Sequence, residues 1–421
     1  MTVVAVEGVA GSGKTVRLME TLAQKLSEAP LRDGQRVLAL TFMHGARRRL
    51  HEKLYAMRAL RGRIECATID SFAQRLVRRW RGTATAIGTP PLENDQYDEQ
   101  CAAAADLLAR QEVAAWIATS FPIVLIDEAQ DLKPERLRMV EALASGGLML
   151  IAADEFQCLD PGLRPNPCVA WMRTACAPTV LTKVHRTDVA ELLSAAAAIR
   201  TGIKPQVGSS FKILKATGAY MPAAFLANAI QWRQGGNVAV ITPSLSGGFA
   251  RDVVERVTQN QCGKHKSGPF PIRWERSDGD EAAGLAKALL LSDGATSEQT
   301  IAALELLLPS GAIKDTIAWV RLQAHAAGVT VFHRAEIDAR IARHVSMRRQ
   351  RSGTRSSLFT ALTVQQAKNR EFEGVVILWP YQVGGDDEHK RRLLYNAVTR
   401  AQRWCTVILQ GGSLLKAAPF A

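Results

Sequence analysis

Residues 8–15 read Gly8-Val9-Ala10-Gly11-Ser12-Gly13-Lys14-Thr15 and match the phosphate-binding loop pattern at every fixed position. The segment before it, Thr2–Glu7, is a short apolar run typical of a β-strand. The segment after it, Thr15–Ala29, carries apolar residues at helical spacing. The alternative is a glycine-rich turn of some other α/β protein, but strand, loop and helix in this order are the context that the motif requires.

The chemistry of such a loop follows from its residue types. Gly8, Gly11, Ser12 and Gly13 let backbone N–H groups turn inward around phosphate oxygens, and the helix N-terminus adds the positive end of its dipole. Lys14 can reach the β- and γ-phosphates, and the Thr15 hydroxyl can ligate Mg²⁺. The loop therefore predicts a P-loop NTPase that binds a nucleoside triphosphate with Mg²⁺.

The composition limits the class of protein. The 421 residues suffice for two or three domains, and no apolar run approaches the roughly 20 residues of a membrane span. The N-terminus leads directly into the first strand, so we expect no signal peptide, no membrane partner and a cytoplasmic location. The seven cysteines are scattered and form no Cys-x-x-Cys pair, which indicates neither a disulfide framework nor a zinc site.

The charge favours a polyanionic partner. The net charge is +13 and the pI is near 9.6. The positive residues cluster in Arg47-Arg48-Arg49, Arg58–Arg63 and Arg75–Arg81, with seven more arginines between Arg334 and Arg355. Solvated basic helix faces are the alternative interpretation of each cluster.

Two further buried strands present polar residues at their carboxyl ends, where the active groups of an open α/β sheet lie. Phe121–Ile126 leads into Asp127-Glu128, and Leu148–Ala153 is followed by Gln157. We expect Asp127 to be the second Mg²⁺ contact and Glu128 to polarise the attacking water as general base. Gln157 could sense the γ-phosphate. A surface turn is the alternative for the Asp-Glu pair.

The remaining apolar runs predict an α/β fold with two parallel-sheet domains, 1–184 and 185–421. The other candidate strands are Arg36–Thr41 and Thr179–Val184 in the first domain, and Phe211–Lys215, Val238–Ile241, Leu362–Val364, Val375–Leu378 and Thr406–Leu409 in the second. Two short helical insertions interrupt them. The first, about 82–120, contains an acidic patch (Glu93, Asp95, Asp98, Glu99). The second, about 291–357, has helical periodicity without strands and ends in the basic run Arg343–Arg355.

The second domain also supplies arginines. Phosphoryl transfer needs positive charge at the departing γ-phosphate, and an arginine finger provides it. Arg186 and Arg400 are the candidates, although on spacing alone either would be a surface arginine.

A set of short motifs carries a family resemblance. In order they are Gly11-Ser12-Gly13-Lys14-Thr15, Thr41-Phe42, Thr68-Ile69-Asp70-Ser71-Phe72, Asp127-Glu128-Ala129-Gln130-Asp131, Asp154 with Gln157, His185-Arg186-Thr187, Thr363-Val364-Gln365-Gln366-Ala367-Lys368-Asn369-Arg370-Glu371-Phe372 and Arg391-Arg392-Leu393-Leu394-Tyr395-Asn396-Ala397-Val398-Thr399-Arg400-Ala401. Their order and spacing resemble the UvrD/Rep-type superfamily 1 helicases, from Gly8 to Ala401.

The resemblance implies two RecA-like domains with ATP in the cleft between them, single-stranded DNA across their top, and movement from 3′ to 5′. It places Lys14, Thr15, Asp127, Glu128 and Gln157 at ATP from the first domain. Arg186, Glu371 and Arg400 would serve ATP from the second, with Glu371 at the ribose. The positions that match the DNA path are Thr41, Phe42, Thr68, Ser71, Phe72, Thr363 and Lys368.

The chain also departs from the family pattern. Only seven residues precede Gly8, where the family carries an adenine-recognition segment. Cys158-Leu159-Asp160 replaces an aromatic residue that stacks on a base, Gln365 replaces a histidine, and Asn369 replaces a glycine. Both insertions are shorter than those of full-length family helicases, on which strand separation partly depends, so we expect ATPase activity with poor strand separation.

Two functions remain open. The first is a DNA-dependent ATPase that translocates on or unwinds single-stranded or tailed DNA. The second is a regulatory ATPase that senses DNA and controls a partner protein, such as a nuclease, with little unwinding of its own. A small-molecule kinase shares the phosphate-binding loop but explains neither Lys368 nor Arg400, and no carboxylate cluster beyond the ATP site predicts a built-in nuclease.

Overall fold

The computed structural model describes residues 2–42, 44–90, 92, 96–218, 220–233, 236–275, 278–351 and 358–421. The chain divides into two compact units. The larger comprises Met1–Pro271 together with Leu362–Ala421, and the smaller comprises Ile272–Ala361. In the part of the chain that is described, no helix has the length and apolar character that a membrane crossing needs.

The first sheet forms from the N-terminal part of the larger unit. Its six strands are β1 (Thr2–Gly8), β2 (Val37–Thr41), β3 (Ile64–Thr68), β4 (Ile123–Asp127), β5 (Leu148–Ala153) and β6 (Thr179–Leu181). They lie in the order β3-β2-β4-β5-β1-β6 and pair in parallel. Every residue of β2 and β4 is buried, as expected for strands covered on both faces.

Eight helices accompany this sheet in the described residues. They are α1 (Lys14–Glu28), α2 (His44–Ala56), α3 (Ile69–Arg79), α4 (Arg81–Ala86), α5 (Tyr97–Leu108), α6 (Gln111–Ser120), α7 (Pro134–Ala144) and α8 (Pro167–Ala175). In α1 the buried residues Leu18, Leu22 and Leu26 recur every four positions and form one apolar face.

The insertion predicted at about 82–120 contains α4, α5 and α6. It packs into the main core, because Cys101, Leu107, Val113 and Ile117 belong to the same buried cluster as residues of β4. Glu93 and Asp95 of the predicted acidic patch lie outside the described residues.

The strands of the second half of the chain are β7 (Phe211–Lys215), β8 (Val238–Thr242), β9 (Arg273–Trp274), β10 (Ala295–Thr296), β11 (Val331–Phe332), β12 (Phe359–Thr363), β13 (Phe372–Trp379) and β14 (Ala401–Leu409). Six of them form a second sheet in the order β7-β14-β13-β8-β12-β9. The described pairings in this sheet are also parallel. Two six-stranded parallel sheets confirm the predicted fold class, while the domain boundary at 184/185 stays a prediction.

The helices of this half are α9 (Ala190–Thr201), α10 (Tyr220–Gln231), α11 (Phe249–Gln259), α12 (Asp278–Ala288), α13 (Ser297–Glu305), α14 (Gly311–Ala326), α15 (Arg334–Arg351), α16 (Val364–Ala367) and α17 (Asp387–Val398). The smaller unit holds α12 to α15 around a core that includes Ile313, Val320, Phe332 and Ile341.

The prediction that the stretch 291–357 contains helices and no strands is wrong. β10 and β11 pair antiparallel, with Ala295 opposite Phe332 and Thr296 opposite Val331. Two residues per strand are too few for an alternating pattern to be visible in the sequence. Residues 352–357, which include Arg355 of the predicted basic run, lie outside the described residues.

Candidate nucleotide site

The phosphate-binding loop lies between β1 and α1, at the carboxyl edge of the first sheet. Gly11 and Gly13 adopt left-handed backbone angles, with φ of 75° and 85°, a region where glycine carries no steric penalty. The Lys14 side chain is 8% exposed. Its Nζ donates to the Gly8 carbonyl at 3.0 Å and to the Val9 carbonyl at 3.3 Å. The loop thus holds its lysine against its own backbone, in a concave cradle.

The donor atoms of this cradle fit a phosphate and a metal ion. The Ser12 hydroxyl is buried and has no hydrogen-bond partner among the described residues, which leaves it available to a ligand. The Thr15 hydroxyl donates to Asp127 Oδ2 at 2.8 Å, so the two predicted Mg²⁺ contacts are adjacent. Among the described residues, no group of three or more His, Cys, Asp or Glu side chains could hold a metal. A magnesium ion here would rely on Thr15, Asp127 and its ligand's own oxygens.

Asp127 is the last residue of β4, and Glu128 follows it directly. Burial, and then the neighbouring charge of Glu128, raises the pKa of Asp127 to about 6. Glu128 has a φ of 61°, a conformation that costs on the order of 1–3 kcal/mol for a residue with a side chain. Its carboxylate accepts a hydrogen bond of 2.7 Å from Gln130 Nε2. A strained, tethered carboxylate at a strand end fits the predicted general base.

Gln157 and Arg400 are in contact with each other. Gln157 Nε2 donates to Asp154 Oδ2 at 2.8 Å, and its Oε1 lies 3.5 Å from Arg400 Nη2. Arg400 is 1% exposed and otherwise donates to the Asn396 carbonyl and the Thr399 hydroxyl. No carboxylate in the described part of the chain lies within 4.0 Å of it. Burial, with the nearby charge of Arg186, lowers the pKa of Arg400 to about 9, which still leaves it charged at neutral pH.

Arg186 and Glu371 form an ion pair. Arg186 Nε donates to Glu371 Oε1 at 2.9 Å, and Arg186 Nη1 donates to the Thr399 carbonyl at 2.8 Å. Burial alone would raise the pKa of Glu371, but the charge of Arg186 lowers it below its usual range. The segment also contacts the loop, since the His185 amide donates to the Gly11 carbonyl at 2.8 Å. The structure thus brings both residues to the phosphate-binding loop, already paired to each other.

Two further residues contact this site although the sequence predicted no role for them. The Tyr395 hydroxyl accepts a hydrogen bond of 2.9 Å from the Ala10 amide, inside the loop. Arg200 donates to Asp154 at 2.8 Å and to the Tyr395 hydroxyl at 3.3 Å. Tyr395 lies within the last motif quoted above, which was the signal for it. Arg200 sits on α9 outside every motif, so the sequence offers no signal for it.

The predicted DNA contacts of the first sheet lie at its carboxyl edge. Thr41 is opposite both Thr68 and Asp127 in the strand register, and its buried hydroxyl has no hydrogen-bond partner among the described residues. Thr68 caps α3 by accepting from the Ser71 amide at 3.2 Å. Arg136 lies over the Phe42 ring, 5.8 Å from its centre.

Three other residues on the predicted DNA path already contact other side chains of the protein. Phe72 is 3% exposed and packs edge-on against Phe121 in the core, so the geometry gives no support to base stacking on it. Thr363 caps α16 through Gln366. Lys368 Nζ lies 2.8 Å and 2.9 Å from the two Asp131 oxygens. The predicted phosphate contact of Lys368 would therefore have to replace an existing ion pair.

The comparisons with known proteins agree with this site. Residues 1–162 match the family model of an AAA domain, and residues 358–408 match that of a UvrD-like helicase C-terminal domain. No curated protein matches the chain. The second of these matches confirms the resemblance to UvrD-like helicases.

Two solved structures are similar to this chain over nearly its whole length. The crystal structure of Arterivirus nonstructural protein 10 (helicase) has 13% identity and a TM-score of 0.41, covering 100% of this chain and 62% of that chain. The complex of the same helicase with DNA has 12% identity and a TM-score of 0.39, covering 99% and 63%. The chain thus spans less than two thirds of the length of these helicases.

Proposed function

We propose that this chain, with its AAA domain and its UvrD-like helicase C-terminal domain, is an ATP-hydrolysing translocase on single-stranded DNA. Movement from 3′ to 5′ is part of the proposal and rests on the resemblance to the UvrD/Rep-type family. The activity itself is argued from the nucleotide site.

The proposal rests mainly on the surroundings of the Arg400 side chain. A buried guanidinium with no carboxylate partner among the described residues is costly unless an anion joins it. It lies beside Gln157, whose own partner Asp154 follows β5, next to the strand that leads into the phosphate-binding loop. A terminal phosphate on that loop would supply the missing anion.

The other residues divide the remaining tasks. Lys14 leaves the Gly8 and Val9 carbonyls for phosphate oxygens, and Thr15 and Asp127 hold the metal. Mg²⁺, when bound, neutralises phosphate charge and orients the phosphates. Glu128 takes the proton of the attacking water.

Arg186 and Glu371 change partners in this scheme. When nucleotide binds, Arg186 exchanges the Glu371 carboxylate for phosphate oxygens, and the freed Glu371 accepts from the ribose hydroxyls. The ion pair at 2.9 Å supports this, because it keeps both groups at the loop before nucleotide arrives.

Single-stranded DNA is the proposed polyanion. The net charge of +13 supports it, and so does the pairing of Lys368 with Asp131, which lies three residues after Glu128. A DNA phosphate that draws Lys368 away would free Asp131 and so alter the segment that carries the general base. This links DNA binding to hydrolysis.

A regulatory ATPase that controls a partner protein, such as a nuclease, is the second candidate. One observation favours it. Phe72 is a core residue, and Phe156 is enclosed by Arg200, Arg392 and Tyr395 at ring or cation distances of 5.1–5.2 Å. Neither ring is open for base stacking, which is worth roughly 1–3 kcal/mol per base in proteins that grip single strands.

The test is ATP hydrolysis with and without single-stranded DNA, measured beside strand displacement on a 3′-tailed duplex. We expect DNA to stimulate hydrolysis, and we expect displacement by the chain alone to be poor. Lys14→Ala is the control, because loss of the phosphate-binding charge should abolish hydrolysis in an otherwise folded chain. Hydrolysis that DNA leaves unchanged would contradict the translocase and favour the regulatory ATPase, and displacement of a 5′-tailed duplex alone would contradict the direction.

A further inference from the structure

A second polar cavity lies at the amino edge of the first sheet. It has a volume of about 400 Å³, and its walls include Arg36, Glu65, Arg75, Arg79 and Trp116. Arg36 immediately precedes β2, and its amide donates to the Ser120 carbonyl shortly before β4. A strand of five residues spans about 16 Å, so this cavity is separate from the nucleotide site at the other end of the same strands.

The cavity carries an excess of positive charge. Its single lining carboxylate, Glu65, lies 2.8 Å from Arg75 and 3.9 Å from Arg36. Arg79 has no carboxylate within 4.0 Å among the residues that the structure describes. One carboxylate therefore faces three guanidinium groups, and an anionic ligand would complete the set.

The two helical arginines are held in place without a ligand. The Arg79 guanidinium lies over Trp116, 4.5 Å from the ring centre. Trp116 is fixed by edge-on contacts with Trp80 and Phe121, at 6.2 Å and 5.9 Å. Arg75 Nε donates to the Ser71 carbonyl at 3.3 Å. Guanidinium groups fixed in this way lose little side-chain entropy when they pair with a carboxylate.

We propose that this cavity binds a short acidic segment of a partner protein, whose Asp or Glu carboxylates pair with Arg75 and Arg79. Planar guanidinium groups bind carboxylates through two parallel hydrogen bonds. The aliphatic stem of the bound residue would pack against the edge of Trp116. This inference goes beyond the proposed ATPase function and does not depend on it.

Nucleic acid fits the cavity less well than a peptide. One face of Trp116 is already covered by Arg79, and the ring contacts Trp80 and Phe121 edge-on, so little of it is left for a base to stack on. The cavity, of about 400 Å³ and partly open to solvent, accommodates one or two side chains.

The test uses a short fluorescent oligo-glutamate peptide, titrated by anisotropy at fixed salt. We expect Arg75→Glu/Arg79→Glu to weaken its affinity by about tenfold or more, the value of one charge-assisted hydrogen-bonded pair. The matched control is Arg17→Glu/Arg48→Glu, which makes the same change in net charge at exposed arginines of α1 and α2. Arg79→Gln, which keeps a polar side chain that is shorter and uncharged, should give an intermediate loss.

Three outcomes would overturn the proposal. The peptide does not bind, both double variants weaken it equally, or the cavity variant instead loses an oligo-dT strand of the same length, which would make this a nucleic-acid site. Circular dichroism checks that the variants fold. ATP hydrolysis measured without DNA should be unchanged in the cavity variant, because the cavity lies at the other end of the strands from the nucleotide site, so failure here is distinguishable from failure of the proposed function.

Discussion

Asp127 is a carboxylate that the fold keeps away from water. Burial raises its pKa from 3.8 to about 6, so the folded chain binds this proton more tightly than the unfolded chain does. The stability that the proton brings is fully present below the unfolded pKa and is lost as the pH rises through about 6. At pH 8 the buried charge of Asp127 therefore destabilises the folded chain, and a bound metal ion would offset that cost.

The change in the free energy of unfolding that Asp127→Asn causes in the nucleotide-free chain should be more favourable at pH 8 than at pH 4. The gain should be on the order of 1–3 kcal/mol and should appear between about pH 4 and pH 6. Urea unfolding without Mg²⁺ measures it. Asp188→Asn, at an exposed carboxylate, is the control and should show no such pH dependence. Equal effects of Asp127→Asn at pH 4 and pH 8 would show that the charged form of Asp127 does not destabilise the folded chain.

Several residues that the sequence patterns assign to a nucleotide site lie together in the structure, while their roles stay predictions. Thr15 and Asp127 are in contact and Lys14 lies in the same loop, because β1 and β4 end at the same edge of one parallel sheet. Their partners were harder to predict. Lys368 pairs with Asp131 across 237 positions, and the sequence contains no local pattern for a contact between two distant loops.

Helix α17 reaches the phosphate-binding loop through one hydroxyl. Tyr395 accepts from the Ala10 amide, and burial raises the pKa of Tyr395 to about 12, so the hydroxyl stays protonated. The bond joins a helix of the second half of the chain to the loop that follows β1. It satisfies a loop amide that would otherwise be buried without a partner.

Tyr395→Phe should therefore destabilise the chain by about 1–3 kcal/mol, the cost of one unsatisfied buried donor. Denaturant unfolding measures this cost, and a weaker apparent affinity for ATP should accompany it because the loop is less ordered. The control is Tyr97→Phe at an exposed tyrosine of α5. A Tyr395→Phe variant as stable as the Tyr97→Phe variant would show that the bond contributes nothing.

The predictability of an element depended on its length and burial. β5 and β7 have the predicted bounds; β5 is a continuous apolar run, and β7 carries Phe211 and, between two lysines, Ile213 and Leu214. β9, β10 and β11 have two residues each and were not predicted. Their short pairings depend on the chain around them and leave no periodicity in the sequence.

The charge of the whole molecule sets how it should bind DNA. A net charge of +13 and the closed aromatic sites around Phe72 and Phe156 favour phosphate contacts over base contacts. Affinity for single-stranded DNA should fall steeply with salt, with a slope of log affinity against log salt of about −0.7 for each phosphate neutralised. Oligo-dT and a mixed-sequence strand should bind alike. Fluorescence titrations at several salt concentrations measure both, and an affinity independent of salt would contradict phosphate-dominated binding.

The central claim is that both sheets serve one ATP, and Arg400 tests it most directly. The measurement is the rate of ATP hydrolysis at saturating nucleotide, beside nucleotide affinity, for Arg400→Ala and for Arg403→Ala. Arg403 lies on β14, three residues after Arg400, and its side chain is 74% exposed. We predict that Arg400→Ala slows hydrolysis by on the order of 10³–10⁵, as arginine fingers do, with little change in affinity, and that Arg403→Ala resembles the unaltered chain. A collapse of affinity with the saturated rate preserved, or equal rates in the two variants, would contradict it.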